Sequence, residues 1–523
     1  MSASSPDTAN LVGIDLGTTY SSLSRLDKNY CPKMVANIEG ETTTLSSVFF
    51  GGEGEGVVVG RDAYELGVAH PERYVANAKR FLGQSGAQWE IDNVVYTPVD
   101  ISAMILEKLI QDASRYIGTI EEAVIAVPAH FTAHQRRLTI EAGLQAGLEK
   151  ASVVNEPVAA ALYYGMGEEG LVMTQVVDDF TVLVFDLGGG TCDLSLVRYG
   201  TEPGVIGGKQ DERRHIRVLA SAGEPRLGGI DWDAVLVDMI AESFIEEYGI
   251  DFREEPLMVR RIAAEAEKCK RTLSNDQRLQ TEKRITYQGR EHVATLTRSD
   301  FMRRTLALVG KARKLTNSLL KSTDLDWGQV DRIIPVGGSV RLPMIRQLLR
   351  EYEERGPKIQ EISPELSVAQ GAALYAGCIQ LRHNGMETND FAAGAFHEFA
   401  TTFVTGNDLS VLLRNRATKR RVKHLLVQRN TPLPTISTVT LATAKADQRS
   451  VKVRIVEGKP NDGEHDPDTA DAICHCVINE LPPGLPADTL IDVELTCDAD
   501  GLLHVIARRR GGGETGAASI VYQ

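Results

Sequence analysis

From Leu11 to about Gln380, apolar runs of strand type alternate with runs whose apolar positions recur at helical spacing. "EEAVIAVPAHF" predicts a strand and "TAHQRRLTIEAGLQAGL" a helix; "ASVVNEP" predicts a strand again, and "VAAALYYGMG" a helix closed by glycine. That rhythm makes an α/β architecture with helices covering sheets. From Asp408 the pattern changes to short β runs: "LSVLLR", "VKHLLVQR", "TVTLATA", "VKVRIVEG", "ICHCVIN", "IDVELTC" and "LLHVIARR". Turn signals such as "NDG" and "DADG" separate them, which predicts an all-β sandwich or barrel. Residues 384–407 lack clean periodicity and read as a linker. The expected organisation is therefore an α/β domain over 1–383, a linker over 384–407 and a β domain over 408–523, with no helical segment before the chain stops at Gln523.

One short pattern occurs twice. "LVGIDLGTTYSSLSRL" (Leu11–Leu26) and "VLVFDLGGGTCDLSLV" (Val182–Val197) each run apolar strand, Asp-Leu-Gly, small polar turn, returning strand. Glycines let the backbone turn tightly and aim its N–H groups outward with no Cβ in the way, which makes an anion site suited to phosphate. A carboxylate beside it would repel phosphate unless a divalent cation lay between them, and Mg²⁺ fits that role. Asp15, Asp186 and Asp193 are then acids holding hydrated Mg²⁺. Duplication implies two similar subdomains whose hairpins face one another across a cleft and clamp a triphosphate. A lone hairpin could be a mere tight turn; two with matching spacing are hard to read that way. No G-x-x-x-x-G-K-[ST] occurs, which excludes a P-loop. "GGEGEGVVVG" (Gly51–Gly60) has the wrong spacing for a dinucleotide loop and reads as a flexible hairpin.

Composition narrows the classes. The 523 residues exceed one core, so two to four domains are expected. A net charge of −14 leaves no cationic excess for phosphate backbones, which argues against a nucleic-acid binder. The N-terminus lacks the pattern of a signal peptide, and no apolar run is long enough to span a membrane. The seven cysteines are scattered. Cys474 and Cys476 alternate on one strand without the spacing of zinc or redox pairs, so buried thiols in a reducing cytoplasm are expected. Basic Arg414–His424 and acidic Glu457–Asp471 read as a solvated edge and a solvated loop.

A third glycine pair, in "IIPVGGSVRLP" (Ile333–Pro343), sits between an apolar strand and the helical "PMIRQLLREY", where small residues allow close approach of a flat or anionic group. "AEKCKRTLS" (Ala266–Ser274) predicts a helix with Glu267, Lys270 or Arg271, and Ser274 on one face. Taken alone it would be a solvated surface. Beside the hairpins it makes a nucleoside wall, with Arg271 able to stack on a purine.

Together with "NAKRFLG", "AVPAHF", "VVNEPVAAALYYG" and "LGGIDWD", these stretches resemble the seventy-kilodalton heat-shock chaperone family (DnaK-type), on the actin-like two-lobed ATPase fold. The β-rich tail resembles that family's peptide-binding half. The resemblance implies an ATPase that binds extended apolar segments of unfolded protein. It places Gly17, Thr18, Thr19 and Tyr20 on the phosphates, with Gly188, Gly189, Gly190 and Thr191 from the second hairpin. Glu156 joins Asp15, Asp186 and Asp193 around Mg²⁺ and the attacking water, and Lys79 corresponds to the catalytic lysine. Gly228, Gly229, Glu267, Lys270, Arg271, Ser274, Gly337, Gly338, Ser339 and Arg341 belong to the nucleotide pocket, and Pro128 and Arg136 to the relay of nucleotide state. Matching the tail puts Val411, Leu441, Ala444, Val451 and Val453 near the peptide groove, although alternating apolar residues also simply fill a sandwich core. ATP/ADP, Mg²⁺ and K⁺ are the implied cofactors. A J-domain co-chaperone and a nucleotide-exchange factor are the implied helpers, with no nucleic acid or membrane partner and a cytoplasmic setting.

Departures exist. Asn77 stands where the family has Asp, His130 where it has Tyr, and Glu365 where it has Asp. The linker offers Phe399 and Phe403 among threonines instead of a leucine run, and the family's helical lid does not follow the β part. Weak, fast-exchanging peptide binding is the expectation. Two other classes compete: a small-molecule kinase of the actin-like fold, which leaves the β domain without a purpose, and a non-hydrolysing nucleotide-dependent scaffold.

Overall fold

The computed structural model describes residues 11–52, 54–166, 179–206, 209–384, 399–414, 421–458, 474–479, 481–499, 501–511 and 521–522. The chain divides into two compact units. The first comprises Met1–Ala129, Thr139–Ile216 and Ala222–Ala400, and the second His130–Leu138, Arg217–Ser221 and Thr401–Gln523. The expected boundaries are therefore shifted, with two short inserts of the α/β region grouped with the β part.

The first unit holds two sheets built on one plan. In one, Leu11–Asp15 pairs in parallel with Glu122–Val127 and antiparallel with Tyr20–Leu26. In the other, Phe180–Leu187 pairs in parallel with Arg332–Val336 and antiparallel with Cys192–Ile206. Each glycine hairpin is thus the antiparallel corner of a mainly buried sheet, as the repeated pattern predicts. Val12, Ile14, Val182, Val184, Ile333 and Ile334 are fully buried, and each such side chain contributes about 1.5–3 kcal/mol of apolar burial.

Helices form at the expected places, Ala133–Gln145, Glu156–Met166, Pro256–Ser274 and Pro343–Glu353, and further helices run over Gly229–Tyr248 and Ser367–Asn384. Glu156 opens a helix instead of ending the preceding strand, which stops at Asn155. The helix Ser367–Asn384 lies backbone against backbone on its neighbours. A Cβ on Gly13 would fall 2.0 Å from the Ala373 nitrogen, and one on Gly371 would fall 1.7 Å from the Ala159 oxygen. Those two glycines seat the strand that carries Asp15 and the helix that begins at Glu156 against one common helix. "GGEGEGVVVG" forms the predicted hairpin between Ser47–Phe50 and Val57–Val59.

In the second unit the predicted β runs form a five-stranded and a three-stranded sheet. The first runs in the order Arg421–Val427, Asp408–Arg414, Val451–Gly458, Cys474–Ile478, Val521–Tyr522; the second in the order Thr435–Ala442, Leu490–Cys497, Leu503–Arg509. Their inner faces share one core, including Val411, Val453, Ile455, Ile491, Val493, Leu495 and Val505. Cys474 and Cys476 both point into it, and all seven cysteines are free thiols. Within the stretch read as linker, Phe399–Thr402 forms a short strand at the edge of the six-stranded sheet that holds Phe180–Leu187, while 385–398 lie outside the described residues. Most of the acidic stretch, residues 459–471, also lies outside them.

Candidate functional site

A cleft of about 1160 Å³ opens in the first unit where the two glycine hairpins meet. The hairpin backbones approach as closely as glycine permits. A Cβ on Gly189 would fall 2.0 Å from Thr19 Oγ1, and one on Gly190 would fall 2.6 Å from Thr18 Oγ1. Each turn is also held from behind. Ser46 Oγ donates to the Gly17 oxygen at 2.8 Å, and Gly188 accepts from Gly229 N–H at 3.0 Å and from Ser339 Oγ at 2.8 Å. The third glycine turn needs its glycine for a different reason: Gly337 has φ 81°, and a Cβ there would meet the Leu187 oxygen at 2.4 Å.

At the floor of the cleft, Lys79 Nζ donates to Glu156 Oε1 at 2.5 Å, both side chains nearly buried. Lys79 comes from the short helical turn Ala78–Phe81, which follows Asn77 in a left-handed conformation (φ 61°) that suits asparagine. Asp15, Asp186 and Asp193 gather around this pair, the last two directly opposite each other across the hairpin. One lysine cannot balance so many carboxyls. Burial, with Glu156 adding repulsion, pushes Asp15 up to about 7 despite Lys79. Burial and the neighbouring Glu156, Asp193 and Asp15 push Asp186 well above the usual carboxylate range. For Lys79, burial opposes the charged form, but Glu156 and Asp15 outweigh it and raise its affinity for the proton.

This donor set fits a hard divalent cation: carboxylates with excess negative charge beside a backbone cradle for phosphate. Among the described residues no three His, Cys, Asp or Glu side chains are arranged to ligate a metal directly.

Most of the predicted residues share the cleft. Asp15, Gly17, Thr18, Thr19, Tyr20, Lys79, Glu156, Asp186, Gly188, Gly189, Thr191, Glu267, Lys270, Arg271, Ser274, Gly337, Gly338, Ser339 and Arg341 line it. Gly190, Gly228, Gly229 and Asp193 do not; they stand behind the wall. A Cβ on Gly228 would meet the Gly190 backbone at 2.4 Å, so these two glycines serve the packing of the loops. Tyr20 is placed differently from the expectation that it faces phosphate. Its hydroxyl bonds Arg271, whose guanidinium sits 5.5 Å from the tyrosine ring centroid and also pairs with Glu267 at 2.6 Å.

Three residues were not singled out as site residues: Asp231 and Asp233, both within "LGGIDWD", and Arg346, which lines the cleft. Asp231 caps the helix that starts at Gly229 by accepting from Gly228 N–H at 2.7 Å, and it pairs with Arg80 at 3.1 Å. Asp233 pairs with Lys270 at 2.8 Å. Arg346 donates to the Arg341 and Ser274 carbonyls and to Asp276, stapling the third turn to the nucleoside wall. The Gly-Gly-x-Asp order of "GGIDWD" was a readable capping signal; nothing in the sequence marked Arg346. Glu365, in place of Asp, still reaches Arg341 at 2.7 Å.

In the second unit the predicted groove residues separate into three situations. Val411 and Val453 are buried in the sandwich core, Leu441 and Val451 are half-buried at its margin, and Ala444 is exposed. Of the relay residues, Pro128 belongs to the first unit and Arg136, buried, to the second.

The family described as Hsp70 protein matches residues 11–95 and 84–522. Chaperone protein dnaK3 of Thermosynechococcus vestitus (strain NIES-2133 / IAM M-273 / BP-1) is 34% identical over 533 residues, covering 96% of this chain and 72% of the relative. The chain belongs to the Hsp70 family, with its two-lobed actin-like ATPase part and its β-sandwich. Its function is that of an ATP-dependent chaperone: it binds ATP and ADP, hydrolyses ATP and engages unfolded protein. Among the described residues no helix is long and apolar enough to cross a membrane.

Proposed function

We propose that ATP hydrolysis by this chain depends on Mg²⁺, and that the residues gathered at the hairpins divide the work. The observation that carries the proposal is the convergence of Lys79, Glu156, Asp15 and Asp186 beneath two facing glycine turns. Gly17, Thr18 and Thr19 from one turn, and Gly188, Gly189 and Thr191 from the other, hold the phosphates. Asp15 and Asp186, backed by Asp193, would hold the metal. When bound, Mg²⁺ supplies positive charge to the phosphate oxygens. Glu156 orients the attacking water and accepts its proton, while Lys79 offsets charge that builds on the transferring phosphoryl group. Glu267, Lys270, Arg271, Ser274, Gly338, Ser339 and Arg341 line the adenosine side, with Arg346 fixing the width of that slot.

The β-sandwich takes extended apolar peptide by main-chain hydrogen bonds and an apolar pocket. Leu441 and Val451 form the accessible margin of the pocket, and Val411 and Val453 its floor. Family membership supports K⁺ as a further ion, and a J-domain co-chaperone and a nucleotide-exchange factor as partners. Seven free cysteines, six of them buried, support a reducing cytoplasmic setting. Two substitutions test the assignment. Asp186→Asn should weaken the Mg²⁺ requirement along with the rate, and Val451→Phe should abolish capture of an apolar heptapeptide. Unchanged behaviour in either variant would move the corresponding site elsewhere.

A further inference from the structure

Several cationic residues stand near the peptide site proposed above, although the chain as a whole carries a net charge of −14. Val451 begins its strand, and Leu413 stands at the same end of the neighbouring strand, because the two run antiparallel with Val411 opposite Ile455. At that end, Arg414 faces Arg421 in register, and Lys452 follows Val451. The turn leading into Val451 adds Lys445 and Arg449, both exposed.

That turn is built, not loose. Gln448 accepts from Ala444 N–H at 3.0 Å and donates to the Ser450 carbonyl at 2.8 Å. Leu481 N–H donates to the Arg449 carbonyl at 3.0 Å, and Asp447 N–H to the Leu485 carbonyl at 2.8 Å. Cations presented on a pinned turn lose less freedom when they meet an anion than cations on a slack loop. Carboxylates share the neighbourhood, among them Asp492, which lies opposite Thr440 and pairs with Arg510 at 2.6 Å. Asp447 accepts from Gly484 N–H at 2.8 Å, and Asp488 follows the adjoining loop, its N–H on the Thr443 carbonyl at 3.2 Å. Among the described residues, Lys445, Arg449 and Lys452 form no ion pair with any acid. Gly458, after which the described chain breaks off, ends the strand that Val451 begins.

From this juxtaposition we propose that the chaperone selects extended apolar segments flanked by Asp or Glu. The inference rests on Leu441 and Val451 marking the mouth of the peptide site, and it adds the class of segment chosen there. Exposed cations act through water and salt, so the selection works within about a Debye length, roughly 8–10 Å, and fades as ionic strength rises.

The test uses the full chain with ADP and two fluorescent peptides that share one apolar core, one flanked by Asp and one by Lys. The Asp-flanked peptide should bind roughly tenfold tighter at low salt, with the gap closing near 1 M salt. Arg449→Glu with Lys452→Glu should reverse the order; Arg449→Gln with Lys452→Gln, a gentler change should the reversal misfold, should level it. Val451→Phe is run alongside. If it weakens both peptides while the wild-type chain binds them equally, or prefers Lys flanks, the site stands and the charge selection is wrong. If Val451→Phe leaves both unchanged, the site itself is wrong and the inference falls with it.

Discussion

Replacing Lys79 by alanine removes the cation paired with Glu156 at the floor of the cleft. Its ammonium lies 2.5 Å from Glu156, with side-chain exposures of 7% and 10%, so the pair is screened little by solvent. Losing one partner of a buried pair costs about 3–5 kcal/mol when the other stays charged. Here the remaining carboxyls have an escape. Asp15 already titrates near 7, so the cluster takes up a proton and the loss falls to about 2 kcal/mol. The nucleotide-free variant should therefore unfold a few degrees earlier in the transition of its first unit. Added Mg²⁺ should recover most of that loss, because it supplies the missing positive charge. Catalysis has no such substitute. Charge on the transferring phosphoryl group would go unbalanced, which corresponds to a loss of roughly 10²–10³ in rate, or about 2.7–4 kcal/mol. Single-turnover hydrolysis of labelled ATP, with binding followed separately by a fluorescent nucleotide, reads both quantities. Retained binding with slow turnover is the expected pair. Turnover within about threefold of wild type, less than 1 kcal/mol, would refute the role given to Lys79.

Two further outcomes follow from the same geometry. Asp15 is raised by burial from 3.8 to about 7, so the metal-free fold holds a proton that the unfolded chain releases between those values. Its contribution to stability thus falls as pH rises from about 4 to 7, and Mg²⁺–nucleotide binding should expel that proton; calorimetry in buffers of different ionisation enthalpy should show release approaching one proton below pH 7, and no release would mean Asp15 does not face the metal. Gly371→Val should lower stability by at least 3 kcal/mol and loosen nucleotide binding, since its Cβ would overlap the Ala159 oxygen at 1.7 Å and separate Asp15 from Glu156; a melting temperature within a degree or two of wild type would contradict the shared-helix account.

Much of this was legible in the chain because it depends on local pattern. Asp15 and Asp186 announced themselves by a repeated strand, turn and strand, and the sandwich strands by their period of two. Contacts between distant segments were not legible. The pairing of Tyr20 with Arg271 joins residues far apart in sequence, and the Arg346 staple depends on where two helices end. Gly13 and Gly371 look like ordinary glycines until the helix that needs their bareness is in place. Gly190, which the resemblance places on the phosphates, and Gly228, which it places in the nucleotide pocket, also pack backbone against backbone, a contact between distant segments that no motif shows. The apolar alternation that placed Val411 and Val453 near a groove could not reveal that both are buried in the sandwich core.

The central claim is that one chain uses ATP to govern its hold on unfolded protein, and linkage makes the two ligands reciprocal. Single-turnover ATP hydrolysis in Mg²⁺, with and without a saturating apolar peptide, tests this most directly. The account predicts phosphate release that requires Mg²⁺, is accelerated by the peptide, and loses that acceleration in Val451→Phe. Transfer of phosphate to an added metabolite, or release indifferent to both Mg²⁺ and peptide, would contradict it.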